Sequence, residues 1–277
     1  MDEPVVRHPG EGELLFDDET GSSRIKVARD EILLSETTLR SSARGARPHI
    51  HRAHADAFYV LEGSLDFHAA GEQRTVEAGG LVLAPPGLVH GFDVGPSGDR
   101  HLNIHAPGAA FAKLSRARRD GVSIDAGKDG DTFSPLSDGG RPGSDAIIRR
   151  VGEGEHLGTT TIKAAQPEIS LLEFVLQPGS GVDPHFHKGH SDSFFILDGE
   201  VELHLGDDVV HGTRETYVLA PPHVIHWFRN VSDEPARVLN LHTPGGFAEY
   251  RRELEGHRGQ GVEPDAAFFE QHDIFDV

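Results

Sequence analysis

Two stretches of this 277-residue chain, PHIHRAHADAFYVLEG at 48–63 and PHFHKGHSDSFFILDG at 184–199, carry the same polar residues at the same spacing. A chain that repeats itself builds one unit twice, so whatever fold it adopts must close within about half its length. Residues 45–94 laid on 181–230 without a gap give 17 identities in 50, including the run VLAPP at 82–86 and 218–222. The likeness continues outward with small length changes, from IKVARDEI and IKAAQPEI to LNIHAPG and LNLHTPG. Each half is long enough to bury a core of its own. The expected organisation is an N-terminal domain over 1–125, a linker over 126–145 rich in Gly, Asp, Ser and Pro, and a C-terminal domain over 146–277.

Within each copy the pattern is of short strands. DAFYVLEG and DSFFILDG are apolar on both alternating faces, as in a strand covered on two sides. SLDFHA and EVELHL alternate, which places His68 and His204 on the face away from the core. GLVLAPPG and TYVLAPPH end at proline pairs, which cannot lie inside a central strand. One helix is expected in each copy, FAKLSRARR and FAEYRRELE, packed as a cap rather than carrying function. With 33 Gly and 17 Pro the chain suits a turn-rich all-β protein.

The charge excludes some partners. Twenty-six basic residues stand against 45 acidic ones, for a net charge of −19, and no basic block is present. Such a chain has no general attraction for nucleic acid or anionic membrane. The absence of cysteine removes disulfides, thiolate ligands and a cysteine nucleophile. With no apolar signal segment visible, the expected location is the cytoplasm.

Side chains at i and i+2 of a strand share a face, so His49 projects with His51, and His185 with His187. Two imidazoles one pleat apart can share a metal ion. Asp56 and Asp192 follow after a short turn and can bring a carboxylate. His90 and His226, just after the proline pairs, can supply a third imidazole. His54 and His190 fall in the turn, where solvent exposure is expected; a fourth ligand or a proton carrier is the sharper alternative. His105 and His242 share a face with Asn103 and Asn240 and either line the cavity or tie down the strand edge. Trp227 and Phe228 are expected in the core or the pocket wall.

These residues resemble the two motifs of the cupin superfamily, G-x5-H-x-H-x3,4-E-x6-G and G-x5-P-x-G-x2-H-x3-N. In the second copy Gly179, His185, His187 and Gly199 fit the first motif, and Pro221, His226 and Asn230 the second. In the first copy His49, His51, Gly63, Gly79, Pro85, Gly87 and His90 fit. Asp56 and Asp192 stand where the motif has Glu, Ala43 replaces the leading Gly and Val94 the closing Asn. Glu215 and His223 replace the two glycines of the second motif.

The resemblance implies two tandem double-stranded β-helix (jelly-roll) barrels with few short helices, a bicupin similar to quercetinases. It implies one divalent transition metal per barrel, iron first, with copper, nickel, manganese and zinc as alternatives. The ligands would be His49, His51, His90 and Asp56 in one barrel and His185, His187, His226 and Asp192 in the other. The activity implied is that of a dioxygenase on a small enolic or phenolic substrate, with Asp56 or Asp192 as proton acceptor and His54 or His190 as runner-up. Alternatives are an isomerase, decarboxylase or lyase acting on a small oxygen-rich acid or sugar, and a non-catalytic binding protein. Cupins commonly pair through their sheets, so a homodimer is an expectation from the resemblance.

Overall fold

The alternating segments of both copies pair as antiparallel strands in the computed structural model, which describes residues 3–69, 71–135 and 146–277. The chain divides into two units, one of residues 12–153 and one of residues 1–11 with 154–277. In the first unit one eight-stranded sheet is organised around two long strands, Ala55–Ala69 and His90–Ala106. Their pairing shifts register between Val60 and Glu62 and again between Gly63 and Leu65. Shifts of this kind bend a strand and let one sheet cover both sides of a core. Gly63 sits at the bend with φ 69°, and a Cβ there would lie 2.1 Å from the carbonyl oxygen of Gly98. Only glycine fits.

In the second unit the counterparts of the long strands are each divided, as Ser191–Asp198 with Glu200–Leu205 and as His226–Arg229 with Ala236–Thr243. The sheet accordingly separates into one of seven strands and one of five. Each unit has its own core, built on Phe58, Val60, Phe67 and Val82 in the first and on Phe194, Ile196, Leu203 and Val218 in the second. A buried ion pair is repeated as well. Lys26 Nζ lies 2.9 Å from Glu36 and Lys163 Nζ 3.1 Å from Glu173, with both lysines fully covered.

Glycines replaced in the second copy do not change the loops. Glu215 and His223 adopt φ 73° and 68°, against 81° and 86° at Gly79 and Gly87. A residue with a Cβ costs of order 1 kcal/mol in this left-handed region, and the loop keeps its shape regardless.

The two expected helices are present as α1, Ala109–Arg119, and α3, Phe247–Gly259. Two further short helices, α2 (Ala126–Gly130) and α4 (Ala266–Gln271), are capped by the side chains of Asp125 and Asp265. Five or six residues are too few to show helical periodicity, which is why the sequence does not announce them. No helix among the described residues is long and apolar enough to cross a membrane.

The unit boundaries differ from the expected 1–125 and 146–277 in two ways. Residues 126–135, expected as linker, fold onto the first unit through α2, and the bridge Ile50–Phe133 ties them to it; the rest of the expected linker, 136–145, lies outside the described residues. The ends are also exchanged. The strand Val5–Arg7 pairs with Tyr217–Ala220 of the second unit, and Ile147–Arg149 pairs with Leu81–Ala84 of the first.

Candidate metal centres

His49 and His90 face each other across two strands through reciprocal backbone bonds of 2.8 and 3.0 Å. This pairing sets their rings 4.4 Å apart, and His51 reaches the same point from one pleat along. Asp56 arrives from the start of Ala55–Ala69. The ligand atoms of these four residues lie within 4.8 Å of one another, and those of His185, His187, Asp192 and His226 form the matching group.

Hydrogen bonds fix which nitrogen faces the centre. Nδ1 of His49, His51 and His90 lies 2.8, 2.7 and 2.9 Å from the carbonyls of Arg47, Asp131 and Leu88. A carbonyl only accepts, so each Nδ1 carries the proton and each Nε2 presents a bare lone pair. In the second unit His185, His187 and His226 do the same with Asp183, Asp273 and Val224. Consequently His49 Nε2 and His51 Nε2 stand 3.1 Å apart, lone pair to lone pair. His90 Nε2 faces Asp56 Oδ2 at 3.2 Å, and His226 Nε2 faces Asp192 Oδ2 at 3.3 Å. His187 Nε2 is buried with no hydrogen-bond partner among the described residues. Acceptors that converge with no donor between them repel unless a cation stands there, so both groups fit a divalent metal.

Aspartate, though shorter than the glutamate of the motif, turns Oδ2 into each group. Its other oxygen is held from behind. Asn103 donates to Asp56 Oδ1 at 2.6 Å and accepts from His105 Nε2 at 2.8 Å. Asn240 and His242 repeat this at 2.5 and 2.7 Å on Asp192. His105 is stacked on Phe111 of α1 at 3.7 Å, and His242 on Phe247 of α3 at 3.6 Å. The asparagines and histidines thus orient the carboxylates, and the helices expected as plain caps supply the rings that hold them.

Burial shapes the electrostatics. It pushes His49 down to about 4, helped by the neighbouring His90 and His51. It holds His105 and His242 well below the ordinary histidine range and lowers His185 and His187 too. For Asp56 burial acts upward, but the imidazoles of His105, His51 and His90 outweigh it and keep the carboxyl well below its usual range. Neutral imidazoles beside an ionised carboxylate are the protonation states that bind metal.

His54 and His190 are not exposed turn residues. His54 is 1% exposed, stacked 4.0 Å behind His51, with Nδ1 2.9 Å from Asp131 Oδ2. His190 lies 3.9 Å behind His187 with Nδ1 on Asp273 Oδ2 at 2.8 Å. Each joins a second trio, His51–His54–His105 or His187–His190–His242, rather than the first group. Phe228 is in the core as expected, whereas Trp227 is half-buried and stacked at 3.4 Å on His204, outside it. His68 is partly exposed and paired with Asp93.

Asp131 and Asp273 are the site residues that the motifs do not reveal. Each takes a left-handed φ (47° and 60°) just after a short helix. The backbone carbonyl of each accepts from the second histidine of the pair. The carboxylate accepts from two backbone N–H groups in the loop between the ligands, Arg52 and Ala53, or Lys188 and Gly189. The signal that could find them is a second internal likeness, DAGKDGDTF at 125–133 against DAAFFEQHDIF at 265–275, masked by a two-residue length difference.

The first group opens on a cavity of about 540 Å³ whose walls include His49, Asp56 and Asn103.

Comparison with known proteins agrees with this geometry. A family model described as a cupin domain matches residues 35–100 and 172–242. The chain is 23% identical to quercetin 2,3-dioxygenase of Bacillus subtilis (strain 168), covering 92% of this chain and 88% of that one. In fold it is similar to an oxalate decarboxylase of Bacillus subtilis studied for its Mn(II) centres, with a TM-score of 0.60 and 14% identity over 100% of this chain and 90% of that one. It is likewise similar to the protein Ylba of E. coli, with a TM-score of 0.62 and 12% identity over 87% and 90% of the two chains. Two matched segments, one histidine-rich centre in each and all-β units around them have one common explanation: the chain is a bicupin, a member of the cupin family.

Proposed function

We propose that the chain is a metal-dependent dioxygenase acting on a small enolic or phenolic substrate. The observation that carries this reading is the convergence of four acceptor atoms, with no donor among them, at the edge of a cavity. His49, His51, His90 and Asp56 would hold one metal ion, and His185, His187, His226 and Asp192 a second. Iron is the first choice, with manganese, copper, nickel and zinc as alternatives. When bound, a redox-active ion supplies Lewis acidity towards a substrate oxygen and brings dioxygen and substrate together.

The chain's own residues do the rest. Asp56 borders the cavity and accepts the proton of a substrate hydroxyl, while Asn103 donates to Oδ1 and keeps the carboxylate aimed. Phenylalanines of the cavity wall exclude water from the reacting oxygen. His54, buried behind His51 and bonded to Asp131, braces the His51 ring rather than meeting substrate. The likeness to quercetin 2,3-dioxygenase along 92% of the chain supports the oxygen-using reading.

The test is metal content by plasma mass spectrometry together with oxygen uptake on flavonols and hydroxybenzoates. Iron, copper, nickel or manganese at about two ions per chain, with substrate-dependent oxygen uptake, is the expected result. Zinc, or turnover that releases carbon dioxide without consuming oxygen, would replace the dioxygenase with a Lewis-acid decarboxylase. Metal-free protein, even after reconstitution, would overturn both.

A further inference from the structure

The two barrels share their metal-side residues and differ in what lies deeper. Along the inward face of His90–Ala106 the first barrel carries Asp99, His101, Asn103 and His105 at successive i, i+2 positions. The register of the second barrel sets Ala236, Val238, Asn240 and His242 at the same places. So Asn and His recur, and the Asp–His pair does not. His101 Nδ1 lies 2.5 Å from Asp99 Oδ1, with the residues 2% and 4% exposed, and the ring stands edge-on to Phe58 and Phe92 at 5.5 and 5.7 Å. Asp99 occupies Nδ1, so Nε2 is the nitrogen left for the cavity that His101 lines.

Space differs in the same sense. Thr37, paired with His101, is small and bonds Ser23 at 2.7 Å; its counterpart opposite Val238 is Phe174, packed on Phe228. Charge differs too. Arg44, Arg47 and Arg118 line the first cavity, and no ion pair to any of them is found among the described residues. At the repeat offset their counterparts are Ser180, Asp183 and Leu254. Three uncommitted guanidinium groups at one cavity of a chain with net charge −19 mark an anion site. The same cavity has aromatic walls, with Phe58, Phe92, Phe111 and Phe133.

We propose, resting on the enzymatic reading above, that the first barrel is the substrate barrel. Its cavity takes an aromatic acid, with the ring among the phenylalanines and the carboxylate on Arg44, Arg47 and Arg118. A ring hydroxyl bonds to Nε2 of His101, which Asp99 positions. The dyad lies about 7 Å beyond Asn103 along the strand, so it meets a ring substituent remote from the one at the metal group. His101 is the specificity residue and Asp99 its positioning residue.

Calorimetric titration of the full-length protein with its metal, under nitrogen, separates this proposal from the chemistry. The probes are 3-hydroxybenzoate, benzoate and the neutral 3-hydroxybenzyl alcohol. Wild type is expected to bind 3-hydroxybenzoate at one site per chain. Arg44→Ser with Arg47→Asp, exchanged for the residues of the second barrel, should weaken both acids at least tenfold and leave the alcohol unchanged. Asp99→Ala with His101→Val should weaken 3-hydroxybenzoate and the alcohol about tenfold but benzoate less than twofold. Equal losses for all three probes in that variant, or two sites per chain, would overturn the proposal, as would acid binding indifferent to the arginines. The surface arginine variant keeps the test open even where the buried pair is needed for folding. If the acid binds as expected without oxygen uptake on any substrate, the site stands and the dioxygenase falls. Oxygen uptake on neutral flavonols without acid binding would leave the dioxygenase standing and remove the site.

Discussion

The two barrels of this chain keep the same four-residue group and the same support behind it, yet diverge two pleats away. In the first, Asp99, His101 and Thr37 leave a polar wall and open volume; in the second, Ala236, Val238 and Phe174 occupy the same positions with apolar atoms. What the copies share is what a metal ion needs: converging lone pairs, fixed tautomers and a braced carboxylate. What they do not share is what a substrate would touch. Duplication preserved the coordination and left the interior free to change. One barrel can therefore specialise while the other keeps its metal-capable group.

The largest effects should be equal on the two sides. Removing Glu36 or Glu173 takes the carboxylate away from a covered lysine, Lys26 or Lys163, and either Glu→Ala change should cost about 3–5 kcal/mol in urea unfolding. A marked loss in only one unit would show that the repeated ion pair is not an equivalent structural element.

The next effect should split them. His51→Ala and His187→Ala should each remove one metal ion per chain. Oxygen uptake should fall at least about a hundredfold with the first and less than about fivefold with the second. Equal losses would mean that both barrels turn over substrate.

Smaller and again symmetric is the effect of Asp131→Asn and Asp273→Asn. Asparagine tolerates the left-handed φ but lacks the charge that holds His54 or His190 and the loop N–H groups. Metal affinity of the corresponding barrel should drop about ten- to a hundredfold, measured by competition with a chelator.

Acid acts on both barrels at once, and its effect adds over every buried imidazole. His49 is pushed down to about 4 by burial and its neighbours, and His54, His105, His185, His190 and His242 move in the same direction. An unfolded chain takes up these protons below about 6.5, whereas the folded one refuses them. Metal-free protein should therefore lose stability as pH falls from about 6.5 towards 4, by up to about 1.4 kcal/mol per pH unit for each such imidazole. Thermal melts at pH 7 and pH 5 after chelation check it; a melting temperature independent of pH would remove the neutral-imidazole picture.

The strands, the grouped histidines and the twofold plan were legible because each rests on spacing within a few residues. The i, i+2 histidines, the proline-terminated strands and the constant offset need nothing from the tertiary structure. Asp131 and Asp273 were hidden because they act from about 80 residues away and because their segments differ in length, which ends an ungapped comparison. His54 and His190 were misplaced because a turn in sequence suggests water, while here an aspartate from a distant helix end covers it. The Asp99–His101 pair escaped for the opposite reason. A search for repeats rewards sameness, and this pair matters by being absent from the other copy.

The exchanged end strands bear on the order of folding. Val5–Arg7 is synthesised some two hundred residues before its partner Tyr217–Ala220. During elongation the first barrel can complete itself once Ile147–Arg149 has emerged, while the leading strand waits unpaired for a barrel that does not yet exist. The order of synthesis thus makes Val5–Arg7 a late-docking clasp, and its sheet in the second barrel is completed only after Tyr217–Ala220 has emerged.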